Sequence, residues 1–366
     1  MSSVFHTKRI LYVDILRILS ILAVIILHFT AELLTNSNDF NTASWWISNL
    51  FNSISRFAVP VFFMISGAMI LRTEIRSYPE FYKKRVVPLL IPLVSWSLIY
   101  GLYNQYYILQ SKMTAYEFVL DFGYRLLTDR TYVHLWFLYA IIAIYMTVPL
   151  ISKLIKTCSE RDLRYYLLLW FIVSIAYRFI SDAVFRATDQ YINIPSMNIP
   201  FFMGFLGYFI LGYYLFHYDL PPRAKNIVFN LGIVSFFLTP VATYFVSLRN
   251  GVLDEMFYGN YSITTFFMAA GMFIYFKEKE ERISEKANHK IQKLISSVSK
   301  ASFSIYLIHL LIEMLVSGRT EVQASVLEAT ISLLVNIAAI FSISYITVKV
   351  LNLNKLVTYV LFGGRG

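Results

Sequence analysis

The chain has 366 residues, 57% hydrophobic and 17% aromatic but only 15% charged, with a mean hydropathy of +0.59, where a soluble chain averages about a quarter charged. So little polar surface excludes a water-soluble globule, and the single cysteine, Cys158, excludes an intramolecular disulfide framework and any multi-cysteine zinc or iron–sulfur site. The net charge of +10 raises nucleic acid as a partner, but the basic residues sit beside apolar runs, where membrane orientation and anionic lipid account for them.

About ten apolar runs have the roughly 17 to 25 residues that a helix needs to cross hydrocarbon. They lie near 10–34, 46–71, 86–108, 132–152, 164–182, 198–217, 226–248, 261–276, 301–317 and 325–350. Stretches such as ILSILAVIIL (18–27) do not alternate as membrane-barrel strands do. The expected fold is therefore all-α: a polytopic membrane helical bundle, one domain over 1–366. Of the 32 Lys and Arg, 23 fall on one side of these runs, seven on the other, and Arg17 and Arg56 within them. The positive-inside rule then puts both termini in the cytoplasm of a multi-pass protein of the cell membrane. The segment 277–300 reads as a polar cytoplasmic linker, its mixed charge suiting a solvated helix.

The first run follows a basic stretch as a signal peptide would, but it is too long for a signal segment and lacks a small-x-small cleavage site, so it is expected to stay as an anchor. It reads YVDILRILSILAVIILHF (12–29) and carries Asp14, Arg17 and His28, charged or ionisable groups that cost a few kcal/mol each in a membrane and demand partners or a task. Eleven residues separate Arg17 from His28, so they share a helix face within about 20° and stand about 16 Å apart along it. Asp14 and Arg17 also suit a helix-end ion pair at i,i+3, and His28 suits a packed polar residue.

The second run contains SRFAVPVFFMISG (55–67), with Arg56 near its outer end, Ser66 and Gly67 near the cytoplasmic leaflet, and Pro60 placed to kink it. Arg56 either faces the interior or snorkels to the interface. Before the third run stand Arg72, Arg76, Lys83, Lys84 and Arg85; these cations suit a phosphate-bearing molecule such as coenzyme A and equally suit lipid headgroups. The fourth opens with HLWFLYAIIAIY (134–145), which places His134 and Trp136 at the outer mouth, Trp136 as a substrate platform or as part of the interfacial aromatic belt. Gly204, Gly207 and Gly212 in the sixth allow close helix approach. In the ninth, SFSIYLIHLLIEML (302–315) sets His309 and Glu313 at i,i+4, spaced for a mutual hydrogen bond or a proton path.

Taken together, Arg17 and His28 as an R-x10-H pair, SRFAVPVFFMISG (55–67), FYKKRVVPLLIP (81–92), HLWFLYA (134–140) and SIYLIHLL (304–311) resemble the membrane acyltransferases of family 3, which acylate cell-surface and envelope glycans. The resemblance runs over essentially the whole chain. It implies an acyl-CoA donor, commonly acetyl-CoA, and a glycan or lipid-linked saccharide as acceptor. It implies no metal and no tightly bound cofactor, and leaves room for a homo-oligomer. His28 would be the general base and Arg17 the donor anchor or carbonyl stabiliser, with Asp14 orienting it. Ser66, Lys83, Lys84 and Arg85 would serve the donor, while Arg56, His134 and Trp136 line the acceptor's route. The competing class is a transporter of a glycan or lipid-linked sugar, to which His309 and Glu313 would supply proton coupling.

Overall fold

A computed structural model describes residues 9–37, 39–110, 113–190, 192, 204–316 and 325–364. Among these, eight helical stretches are long and apolar enough to cross a membrane: Leu11–Asn36, Ala43–Ile70, Tyr78–Ile108, Trp136–Thr157, Glu160–Thr188, Pro222–Asn250, His289–Val316 and Val326–Leu351. The expected runs near 198–217 and 261–276 are shorter helices, Leu206–His217 and Ile263–Glu278; residues 198–203 of the first lie outside the described residues. No strand occurs among the described residues. The chain is an all-α integral membrane bundle.

Helix α1 (Leu11–Asn36) runs through its middle and packs on α2 (Ala43–Ser55), α3 (Ala58–Ile70) and the late helices α14 (His289–Val316) and α15 (Val326–Leu351). The second run is two helices because the chain bends at Arg56 and Phe57, four and three residues before Pro60. Proline has no N–H to give the carbonyl of Arg56, so the helical ladder breaks there, and Val61 resumes it by donating to the carbonyl of Phe57 at 3.0 Å. Between α2 and α3 the backbone thus turns Arg56 toward the bundle's interior instead of along a straight helix.

The third run is α5 (Val87–Leu102) and a π-helical end, Tyr103–Ile108; α4 (Tyr78–Arg85) precedes it and α6 (Ala115–Leu127), for which the hydrophobic pattern gave no expectation, follows. A Thr114–Glu117 capping box starts α6, and Tyr116, Val119, Leu120 and Leu127 on it are exposed, as in a helix lying at a membrane interface. The fourth run is α7 (Trp136–Thr157). The fifth is α8 (Glu160–Trp170), a π turn, and α9 (Tyr177–Thr188). Helix α10 (Leu206–His217) packs on α3, and α11 (Pro222–Asn250) on α12 (Ile263–Glu278).

The segment 277–300 is not an open tether. It comprises the end of α12, then α13 (Glu280–Lys286), then the first turns of α14, which begins at His289 and not near 301. The Glu280 carboxylate accepts the N–H groups of Leu11 at 2.9 Å and Tyr12 at 2.6 Å. These are donors that the first turn of a helix cannot satisfy internally, and a negative charge there complements the helix dipole. A charged residue from far along the chain therefore seats the helix that carries Arg17 and His28. Helix α16 (Lys355–Phe362) closes the fold against α5, the Trp96 indole donating to the carbonyl of Leu361 at 2.8 Å.

Candidate functional site

Asp14 is buried and holds Arg17 at 3.3 Å while accepting from the Ser299 hydroxyl at 2.6 Å and from Arg9. The ion pair at i,i+3 forms, and with two further donors on Asp14 it fixes the root of the Arg17 side chain. The guanidinium faces a cavity of about 260 Å³ whose wall also carries Ser66 from α3, Arg85 from the end of α4, and Ser302, Tyr306 and Lys300 from α14. Three cationic side chains meeting the hydroxyl-bearing Ser66, Ser302 and Tyr306 in a concave space suit an anionic, phosphate-bearing ligand.

His28, further along α1, meets two other imidazoles. Its ring centroid lies 5.3 Å from that of His309 and 6.2 Å from that of His134, and those two are 5.5 Å apart. His134 and His309 are fully buried, while His28 retains some exposure. His309 is oriented by its Nδ1, 2.7 Å from the carbonyl of Tyr306. A carbonyl only accepts, so Nδ1 carries the proton in neutral His309 and Nε2 keeps its lone pair; Nε2 has no hydrogen-bond partner. The Tyr306 hydroxyl donates to the carbonyl of His134, tying the segments that carry His309 and His134, and the Tyr100 hydroxyl on α5 donates to the carbonyl of Leu307 at 2.9 Å. Tyr306 is also a wall of the cavity that Arg17 faces, and its ring lies 5.3 Å from that of His134 and 6.0 Å from that of His309, so it borders both. His28 itself is not among the residues lining either cavity described here. Among the described residues no group of His, Cys, Asp or Glu is arranged to hold a metal ion.

A second cavity, about 590 Å³, is lined by Arg56, Trp136, Arg178, Asp182, Arg186, Phe205 and residues of the loop between Glu255 and Ser262. Arg56 donates to the carbonyl of Tyr258 at 3.1 Å and to the side chain of Asn52, and its guanidinium sits 3.9 Å over the Tyr258 ring. Arg186 grips Asp254 with two hydrogen bonds of 2.7 Å. Burial raises the Asp254 carboxyl, but hydrogen bonds from Arg186 and the Met256 N–H, with the guanidinium charge, outweigh it and leave the group below its ordinary value. A lowered folded value means that the pair stabilises the fold above about pH 4, the ordinary range of aspartate, and that this stabilisation is lost as pH falls through the lowered value. Asp254→Asn is accordingly expected to melt below the parent protein at pH 7, with the gap closing in acid. A gap that stays constant from pH 7 down to acid would show that Asp254 stabilises by packing alone.

The structure thus brings Arg17, Ser66 and Arg85 to one cavity, with Asp14 paired to Arg17 outside its wall, and Arg56 and Trp136 to the other. It does not bring Lys83 or Lys84 to either: both are exposed, and Lys84 pairs with Glu80 at 2.6 Å one turn back on α4. His134 is not at an outer mouth but inside, beside His28, because residues 132–135 turn inward before α7 begins. Trp136 is a cavity wall. His309 and Glu313 do not hydrogen-bond each other; Glu313 keeps one carboxylate oxygen buried without a partner while His309 turns toward His28. Missed from the sequence were Lys300 and Tyr306 in the first cavity and Arg178, Asp182 and Arg186 in the second. The last three recur every four residues in YRFISDAVFR (177–186), one stripe of α9, which was a readable signal.

The acyltransferase domain family matches residues 10–345. Similar proteins are the glucans biosynthesis protein C of Salmonella typhi, of Salmonella typhimurium and of Salmonella schwarzengrund, each 27% identical over 339 residues, covering 84% of this chain and 83% of the relative. No solved structure matches the chain.

Proposed function

The chain belongs to acyltransferase family 3, and from that premise we propose that it is an O-acyltransferase that moves an acetyl group from cytoplasmic acetyl-CoA to a hydroxyl of a cell-envelope or surface polysaccharide at the cell membrane. The observation that carries the reading is the division of α1: Arg17 in a cationic cavity at one end and His28 in a histidine cluster toward the other. Relatives named for glucan biosynthesis support a polysaccharide acceptor. Arg17, held by Asp14, anchors the donor with Arg85 and Lys300, its fork matching phosphate oxygens. His28 takes the proton of the acceptor hydroxyl as its oxygen attacks the thioester carbonyl; the carbon–sulfur bond breaks, and the proton passes on to the coenzyme A thiolate.

The purified protein in detergent tests this by acyl-CoA consumption dependent on a glycan acceptor. Transport of a glycan across vesicles with no acyl product would favour the transporter instead. Within the donor site, Arg85→Glu should raise the acyl-CoA KM about tenfold or more, the size of a lost charge-assisted hydrogen bond. Lys83→Glu with Lys84→Glu should change it little, since neither lines the cavity and Lys84 is paired with Glu80. Equal effects from the two sets of substitutions would return Arg85 to a role in lipid contact and orientation.

A further inference from the structure

We propose that the larger cavity is the subsite for an uncharged stretch of the acceptor saccharide, about two hexose rings long, and that it discriminates against a lipid-linked diphosphate. The inference rests on the polysaccharide-acylation reading above and specifies which part of the acceptor the site receives. A space of about 590 Å³ lies within the roughly 300–1,000 Å³ of small-molecule sites.

Two chemistries line it. Trp136 stacks on Phe205 at 5.5 Å and 30°, and Phe205 lies 5.0 Å from Tyr261, which makes a continuous aromatic shelf. The C–H faces of a pyranose ring are apolar and flat enough to lie on such a shelf, while its hydroxyls point outward in the ring plane. Arg178, Asp182 and Glu255 meet those hydroxyls with planar donors and acceptors, groups that recognise vicinal hydroxyl pairs two bonds at a time.

Charge selects the class. Arg186 is already neutralised by Asp254. That leaves Arg56, occupied by Asn52 and the Tyr258 carbonyl, and Arg178, which sits 5.3 Å over the Tyr261 ring, against the carboxylates of Asp182 and Glu255. The cavity therefore offers no surplus positive charge, and a diphosphate inside it would stand beside two carboxylates, an arrangement that costs several kcal/mol. The contrast is with the smaller cavity, where three cations, Arg17, Arg85 and Lys300, converge and no carboxylate among the described residues is part of the wall. Anion recognition belongs to the smaller cavity and neutral polar recognition to the larger.

The full-length protein in detergent is titrated by calorimetry with cellotriose as a neutral probe, trigalacturonic acid as a charged probe of equal length, and a short polyprenyl diphosphate. Cellotriose should bind, and the two anions at least about tenfold more weakly. Arg178→Met should weaken cellotriose about tenfold. Asp182→Asn combined with Glu255→Gln should let trigalacturonic acid gain at least as much, and this isosteric pair carries the test should Arg178→Met fail to fold. Equal or tighter binding of either anion to the parent protein, or no cellotriose binding while acyl-CoA still binds, overturns the subsite. Cellotriose binding with no acyl transfer to any saccharide leaves the subsite standing and removes the reaction assigned above, so the two failures are distinguishable.

Discussion

Acyl transfer by the His28→Ala variant is expected to fall by roughly 10²- to 10⁴-fold, the contribution of a positioned general base, while acyl-CoA still binds. A hydroxyl is a weak nucleophile at neutral pH, and the His28 imidazole on α1 is a group able to take its proton, whereas the Asp14 carboxylate on the same helix is engaged by Arg17, Arg9 and Ser299. Arg17 stays charged and belongs to the donor's cavity, about 16 Å away along the helix. Binding should survive because His28 lies outside that cavity's wall. His309→Gln serves as the internal contrast. His309 sits 5.3 Å from His28 and is locked by the Tyr306 carbonyl, so its loss should loosen the orientation of His28 and lower kcat without removing the base. Transfer rates measured with purified protein, alongside acyl-CoA binding, check both. Full activity in His28→Ala, or a larger loss in His309→Gln than in His28→Ala, would move the base assignment to the second imidazole.

What could be read from the sequence follows the cost of each group. Arg17 and His28 stand out because nothing but a partner or a task justifies them in an apolar helix, and the fixed 100° per residue of that helix puts them on one face. The same reasoning found Asp14 and Arg56. It failed where the deciding information is tertiary. His134 reads as an interfacial residue because it precedes an apolar run, yet the turn at 132–135 carries it inward to His28. Lys83, Lys84 and Arg85 look equivalent as neighbours in sequence, but on a helix they point about 100° apart, and only Arg85 reaches the cavity. Arg186 reads as a loop charge because the apolar run ends near 182, whereas the helix continues to Thr188 and sets Arg186 on the same stripe as Arg178 at the cavity wall. The docking of α13 onto the start of α1 depends on Glu280 meeting two amides some 270 residues away in the chain, which no local pattern encodes.

The glycines of α3 and α10 give the largest expected effect on folding. A Cβ built on Gly67 would lie under 3.0 Å from the Phe209 carbonyl, and one built on Gly212 equally close to the backbone of Met64. The two helices therefore cross backbone to backbone through reciprocal glycines, the close approach that small residues permit in membranes. Because the obstructing atoms are main chain, no rotamer change relieves the clash, and even one methyl group must drive the helices apart. Gly67→Ala should cost about 3 kcal/mol or more, at the upper end of overpacking, and should appear as lost monodisperse protein or a strongly lowered melting temperature in detergent. Gly123→Ala is the control, since a Cβ there meets nothing within 4 Å and α6 gains helix propensity. The consequence reaches the site, because Ser66 precedes Gly67 on α3 and lines the cavity with Arg17. A helix displaced by a methyl group would widen the donor cavity before it unfolded the bundle. Any surviving Gly67→Ala protein should therefore show a raised acyl-CoA KM, and unaltered melting together with an unaltered KM would mean that α3 and α10 do not touch at this pair of glycines.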